Sequence, residues 1–167
     1  GADYRFTTTF GVRGEWNPAT GVLTGDLVVA AGGDPDLQAE NLMLVARRLE
    51  DLGLRRVTGD LVVRGPLWVG WENGVEHRIV DAAERAPVAG GRLRAAFDAR
   101  RWSSASRGSW TGVAARHGLD PATPPRLRIE GAVRFEPDAA ARPLVEHRSA
   151  PLPELLKRFN VYSNNDI

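Results

Sequence analysis

The hexapeptide Thr24-Gly-Asp-Leu-Val-Val29 recurs as Thr58-Gly-Asp-Leu-Val-Val63, and the stretch between the copies constrains the architecture. Leu-Val-Val is apolar and largely β-branched, which suits a buried strand. Between the copies Leu42, Val45, Ala46, Leu49 and Leu52 fall on one helical face, and Gly53 stands where a C′ residue ends a helix. Strand, helix and strand make a βαβ unit, whose crossover leaves its two strands parallel. We therefore expect Val22–Ala31 and Val57–Val63 to be parallel neighbours, with the Leu42–Leu52 helix on one face. The 34-residue spacing also suits some helical solenoids, but two strand-like copies oppose that reading.

Other elements are placed around this unit. Tyr4 to Phe10 alternates aromatic and β-branched residues and reads as a strand, with Gly11–Gly21 as a hairpin-like connection. Gly25-Asp26 interrupts the second strand, as a bulge or a close backbone approach would. Beyond Gly65-Pro66 comes a turn-rich stretch with Trp68 and Trp71, then short helices over Arg92–Trp102 and Gly108–Gly118. Asp120–Pro125 reads as a loop, Arg126–Phe135 as a strand, and Ala139–Arg142 as a connection. The expected fold class is α+β, a mixed α/β arrangement containing the βαβ unit.

Composition narrows the function classes. With 22 basic and 21 acidic residues, the formal charge of +1 gives no electrostatic case for nucleic acid or an anionic membrane. Lys157 is the sole lysine, and the arginines are scattered rather than banded. No cysteine is present, which excludes disulfide and thiol chemistry within these residues. No apolar run is long enough to span a bilayer, and the first residues carry no signal-peptide pattern.

The last segment, Ser149 to Ile167, carries the chemistry. Leu152, Leu155, Leu156 and Phe159 follow helical spacing and should anchor one stripe to a core, with Ser149 as N-cap and Pro151 and Pro153 near the first turn. Asn160 suits a fraying helix end, and Ser163-Asn164-Asn165 follows as a polar cluster. An anchored helix that delivers small polar side chains is a means of holding hydroxyl and amide groups in a cleft.

This ending resembles the Ser-x-Asn region of the D-alanyl-D-alanine carboxypeptidase C family, the class C low-molecular-mass penicillin-binding proteins. The pattern "S-x-P-L-x-x-L-L-x-x-M-N-x-x-S-N-N" stands here as Ser149, Pro151, Leu152, Leu155, Leu156, Asn160, Ser163, Asn164 and Asn165, with Phe159 in place of methionine. Tyr4-Arg-Phe-Thr-Thr-Thr9, the two Gly-Asp-Leu-Val-Val runs, Gly32-Gly-Asp-Pro-Asp-Leu37 and Leu52-Gly-Leu54 match the family's order as well. The likeness covers residues 1–65 and 143–167 well and the middle poorly.

The resemblance implies an inserted non-catalytic α/β region over 1–148 and the start of a returning transpeptidase-like catalytic domain over 149–167. It implies a serine D-Ala-D-Ala carboxypeptidase, with endopeptidase activity as a further option, acting on peptidoglycan stem peptides through an acyl-enzyme and inhibited by β-lactams. No cofactor or metal is expected, and a periplasmic or secreted location is implied. Ser163 matches the serine that passes a proton, and Asn165 the amide that orients substrate; Asn164 intervenes. Glu72, after Val69-Gly-Trp71, is loosely equivalent to an acidic residue that recognises the stem side chain. The family's Ser-x-x-Lys and Lys-Thr-Gly motifs have no counterpart here, since Glu154 stands three before Lys157. An internal piece of a longer enzyme is expected, and isolated it should be inactive. The alternative is a non-catalytic peptidoglycan-binding or scaffolding module of the same fold.

Competing chemistries lack their patterns. His77, His117 and His147 with Ser103, Ser104 or Ser109 do not form a G-x-S-x-G elbow, and the histidines lack metal-ligand spacing. His117 before Gly118 reads as a cation at a helix C-terminus. Gly32-Gly33-Asp34-Pro35 lacks both phosphate-loop patterns and reads as a turn starting the helix, with Pro35 or Asp36 in its first turn. Trp68 and Trp71 read as core plugs sooner than as a binding platform.

Overall fold

In the computed structural model, which describes residues 3–70 and 79–164 and their side-chain surroundings up to Arg158, Thr7–Asn17 (β1) and Val22–Ala31 (β2) form a long antiparallel hairpin. β1 runs well past Phe10 because its glycines serve close packing. A Cβ on Gly11 would stand 2.6 Å from the Arg142 carbonyl oxygen, and one on Gly14 2.9 Å from Gly25 Cα. Gly25-Asp26 is thus a close backbone approach.

Ala39–Asp51 (α1) comes next, later than a start at Pro35 or Asp36. The Gln38 backbone N–H is held by Asn41 Oδ1 at its front. At its end Leu54 N–H reaches Leu49 O and Gly53 N–H reaches Glu50 O, with Gly53 at φ 96°. This is a Schellman ending, which explains the glycine at C′. Leu42, Val45, Ala46 and Leu49 are buried as expected, whereas Leu52 caps the helix half-exposed.

Arg56–Val57 (β3) and Leu61–Arg64 (β4) both pair in parallel with β2, matching Leu23 to Val57, Leu27 to Leu61 and Val29 to Val63. The two hexapeptides are therefore parallel neighbours in one sheet. The expected single strand is divided at Thr58-Gly-Asp60, where the Asp60 N–H turns to the Asp26 side chain.

Ala82–Ala96 (α2) replaces the helix expected over Arg92–Trp102. Asp81 caps it by accepting from Glu84 N–H at 3.0 Å. Gly90 lets it settle on the sheet, since a Cβ there would collide with Val133. Ser104–Arg116 (α3) begins earlier than expected, with the Ser103 hydroxyl accepting from Ser106 N–H, and ends at His117-Gly118.

Arg128–Ile129 (β5) and Val133–Phe135 (β6) continue the parallel ladder beyond β3 and β4. Arg142–Arg148 (β7) lies antiparallel to β1, starting where the expected Ala139–Arg142 connection ends and over residues for which no element was expected, and Leu152–Asn164 (α4) closes the described chain. Across the sheet the order is β5/β6, β3/β4, β2, β1, β7. The fold is α+β.

Alternation along the strands sends Phe10, Leu27, Val29, Leu61 and Val63 into one core with α1 and α2, while Val28 and Val62 meet Ala139 on the other face. That second face carries a charge network: Arg13 bridges Asp26 and Glu136, and Arg134 bridges Asp60 and Glu136. α3 completes a satellite core with Met43, Trp102 and Trp110.

Candidate functional site

Ser163 and Asn164 fall on the last turn of α4, beyond the residues whose side-chain surroundings are described; Asn165 and Glu72 lie outside the described residues, as do Trp71 and His77. α4 does not fray at Asn160 but continues to Asn164, so the polar cluster begins on the helix rather than after it.

The seat of α4 is built from both ends of the chain. Ser149 is not its N-cap. Its hydroxyl accepts from Phe6 N–H at 2.9 Å and donates to the Ala150 carbonyl at 2.7 Å, while its own N–H reaches Phe6 O. Leu152 N–H then donates to Tyr4 O at 3.0 Å. Of the expected apolar stripe, Leu155 is fully buried, whereas Leu156 is 51% exposed. Leu155 is thus the deep anchor among the described side chains of this helix, and the surroundings of Phe159, the last residue of the expected stripe, lie outside them.

A second tether comes from the Gly32–Leu37 turn. Asp34 is buried, and its Oδ1 accepts from Asp36 N–H at 2.8 Å, an Asx-type turn. Asp36 in turn accepts from Gln38 Nε2 at 3.3 Å and from Arg158 Nη1 at 2.8 Å. Arg158 Nη2 also reaches Glu154 Oε1 at 2.8 Å. Turn, helix and β7 enclose a cavity of about 650 Å³ lined by Asp36, Gln38, Asn41, Arg116, His147 and Arg158.

Beside this cavity the second oxygen of Asp34 has no hydrogen-bond partner and stands 3.8 Å from His147 Nε2. Burial pushes the Asp34 carboxyl above its ordinary range, against the Asp36 N–H and His147, which favour the charged form. Burial likewise lowers His147, assisted by Arg48 and opposed by Asp34. Desolvation thus favours the uncharged form of both groups.

From sequence, Asp34 and Asp36 were read only as part of a turn, His147 only as a histidine without a triad or metal pattern, and Arg158 was not singled out. The available signal was the Asp-Pro-Asp spacing, which suits an Asx turn; the pairing with residues more than a hundred positions away had none. Trp68 lies under the Arg85 guanidinium, whose carbon is 3.1 Å from the ring centroid, so it packs within the fold. Among the described residues no three His, Asp or Glu side chains gather as a metal site requires, and no helix is long and apolar enough to cross a membrane.

Comparison with known proteins gives a family match, the D-Ala-D-Ala carboxypeptidase 3 (S13) family, over residues 1–111. Among solved structures, the Bd3459 predatory endopeptidase of Bdellovibrio bacteriovorus superposes with a TM-score of 0.65 at 21% identity, covering 96% of this chain and 39% of that one. The Bd0816 predatory endopeptidase of the same organism gives 0.67 at 18% identity, covering 96% and 41%. Penicillin binding protein 4 of Haemophilus influenzae gives 0.53 at 18%, covering 95% and 49%. Bd3459 is also solved acylated by penicillin G, in complex with the immunity protein Bd3460. The chain spans less than half the length of these structures, and the likeness is one of fold.

Proposed function

The chain belongs to the D-Ala-D-Ala carboxypeptidase 3 (S13) family, and from that premise we propose that it is part of a serine peptidase acting on peptidoglycan stem peptides, of the class C penicillin-binding type. The observation that carries this reading is the seating of α4. The helix that bears Ser163 and Asn164 is tied to Tyr4 and Asp36, both within the family-matched stretch, through the Leu152 N–H and the Arg158 guanidinium.

In the proposed division, residues 1–148 form the inserted α/β region and residues 149–167 begin the catalytic domain. The Ser163 hydroxyl passes a proton to or from the leaving amine, and the Asn165 amide donates to and accepts from the substrate peptide. Glu72 is assigned to the stem-peptide side chain. The nucleophile and its lysine are assigned to sequence outside residues 1–167, since no Ser-x-x-Lys occurs within them. The enzyme is assigned to the periplasm or the exterior, where its substrate lies, and β-lactams are its expected inhibitors. The same absence favours one rival, a non-catalytic module of this fold.

Labelled penicillin and peptide mapping separate the two. The full-length protein containing this chain should form a covalent adduct on a serine outside residues 1–167, and the isolated chain none. Failure of the full-length protein to acylate or to cleave a D-Ala-D-Ala peptide would favour the module.

A further inference from the structure

We propose that the trough between α1 and β7 binds a small monocarboxylate with an aliphatic body, the chemistry of a short peptide's C-terminus, seated on His147 between Arg48 and Arg116. The inference needs none of the roles given to Ser163, Asn165 or Glu72.

The 650 Å³ cavity beside Asp34 adjoins a second, of about 520 Å³, whose lining includes Leu44, Arg48, His117 and Leu119. Asn41 and His147 line both, so the two spaces meet at these side chains. Donors converge there. The Asn41 oxygen is taken by the Gln38 N–H, which leaves the amide NH₂ group for the cavities. Arg48 donates to the Glu146 carbonyl at 3.3 Å, one residue from His147, and Arg116 lines the first cavity from the end of α3. Among the described residues neither of these arginines pairs with a carboxylate, whereas Arg47, Arg148 and Arg158 are committed to Asp51, Glu146 and Asp36. Glu40 lines one cavity and His117 the other.

His147 is the centre of the site. The Asp34 side chain beside it is 1% exposed and keeps one oxygen unpartnered, 3.8 Å from His147 Nε2. A buried orphan acceptor calls for a donor, and an imidazolium offers one N–H to Asp34 while keeping the other for a ligand. An anion in the trough thus completes a carboxylate–imidazolium–carboxylate series. In the free protein burial and Arg48 oppose the cationic ring and Asp34 favours it. A bound anion adds to the pull of Asp34, so binding takes up a proton from solvent onto His147, and affinity falls as pH rises. The ligand class follows from the surroundings. Asp34 and Glu40 repel a dianion more strongly than a monoanion, and Leu44, Val45 and Leu119 provide an apolar wall for an aliphatic group.

The test is titration calorimetry on the full-length protein containing this chain, treated with penicillin beforehand so that an acylated serine cannot take the probe. The probes are N-acetylleucine, its neutral amide and inorganic phosphate, each in two buffers of different ionisation heat. N-acetylleucine should bind at one saturable site with proton uptake, and more weakly at pH 8.5 than at pH 6. The amide and phosphate should bind roughly 10-fold more weakly or worse. Arg48→Gln, Arg116→Gln and His147→Gln should each weaken N-acetylleucine by about 10-fold with the melting temperature nearly unchanged, as expected for the loss of a charged hydrogen-bond partner. Asp34→Asn should reduce the proton uptake. Absence of saturable binding to the parent, equal binding of the amide or of phosphate, or parent affinity in folded Arg48→Gln and His147→Gln would each overturn the site. A protein that binds the probe in this way but never acylates would keep the site and lose the peptidase reading.

Discussion

The Asp26 carboxylate accepts a hydrogen bond from the backbone N–H of Asp60 at 2.7 Å, and the Asp60 carboxylate accepts one from Ala132 N–H at 2.8 Å. This explains the repeated Gly-Asp. Each glycine lets a neighbouring backbone approach, and each aspartate satisfies the amide displaced from the ladder on the next strand. Gly59 N–H reaches Gly25 O at 2.9 Å and Gly131 N–H reaches Gly59 O at 2.7 Å. The series ends at Ala132, just before β6, beyond which no further strand is paired among the described residues.

Gly59→Ala should therefore be costly. The added Cβ meets the Gly25 carbonyl oxygen and the Asp26 carboxylate, both part of the ladder. We expect a loss of ~1–3 kcal/mol in chemical denaturation, as for other overpacked sites. Gly108→Ala, at an exposed position of α3 with nothing within 4 Å, should instead stabilise by up to ~1 kcal/mol. Equal effects at the two positions would contradict the ladder.

The charge network on the open sheet face predicts acid sensitivity. Hydrogen bonding from Arg13, reinforced by Arg134, holds the Glu136 carboxyl down at about 2, against an ordinary 4.5. A depressed folded-state value means stabilisation fully present above 4.5 and lost as pH falls toward 2. Asp60 is lowered as well, first by the Ala132 N–H and then by Arg134. Glu136→Gln should thus lose less stability than the parent between pH 5 and pH 2, while Asp60 keeps part of the dependence. Parallel stability profiles for the two proteins across that range would rule the assignment out.

Asp34 predicts the opposite slope. Burial raises its carboxyl above 3.8, so its contribution to stability is greatest below that value and declines as pH rises through the raised one. Asp34→Asn keeps an oxygen for the Asp36 N–H and removes the ionisation. It also removes the charge that raises His147, leaving burial and Arg48 to lower that ring further. Both changes act in one direction. Relative to the parent, Asp34→Asn should grow more stable from pH 4 to pH 7 in urea titrations, and a difference that does not vary with pH would refute this.

The β2–α1–β4 unit was legible because its signals were local: two matching hexapeptides, a five-residue apolar face and a C′ glycine. The third strand of the series, Ile129-Glu-Gly-Ala-Val-Arg-Phe135, shares the glycine at the same offset but lacks the aspartate, so it read as an ordinary strand. α2 was misplaced because Pro87, Gly90 and Gly91 oppose helix by propensity. Gly90 is tolerated for its close contact with Val133, a tertiary reason that no local pattern carries. β7 was missed because Arg142, Glu146, His147 and Arg148 obscure its alternation. At the site, the Ser-Asn-Asn triplet was visible as a motif. The Asp36–Arg158 tether was not, since its partners lie 122 positions apart.

The central claim, that Ser163 and Asn165 act in the acyl-transfer chemistry of the full-length protein, is tested most directly by the second-order rate of penicillin acylation in Ser163→Ala and Asn165→Ala. Each variant must first match the parent in circular dichroism and melting temperature. Loss of a positioned proton-transfer group predicts a Ser163→Ala rate lower by roughly 10²–10⁴-fold, with a lower rate for Asn165→Ala through lost substrate orientation. Folded variants that acylate at the parent rate would contradict the assignment and leave the likeness to penicillin-binding enzymes as one of fold.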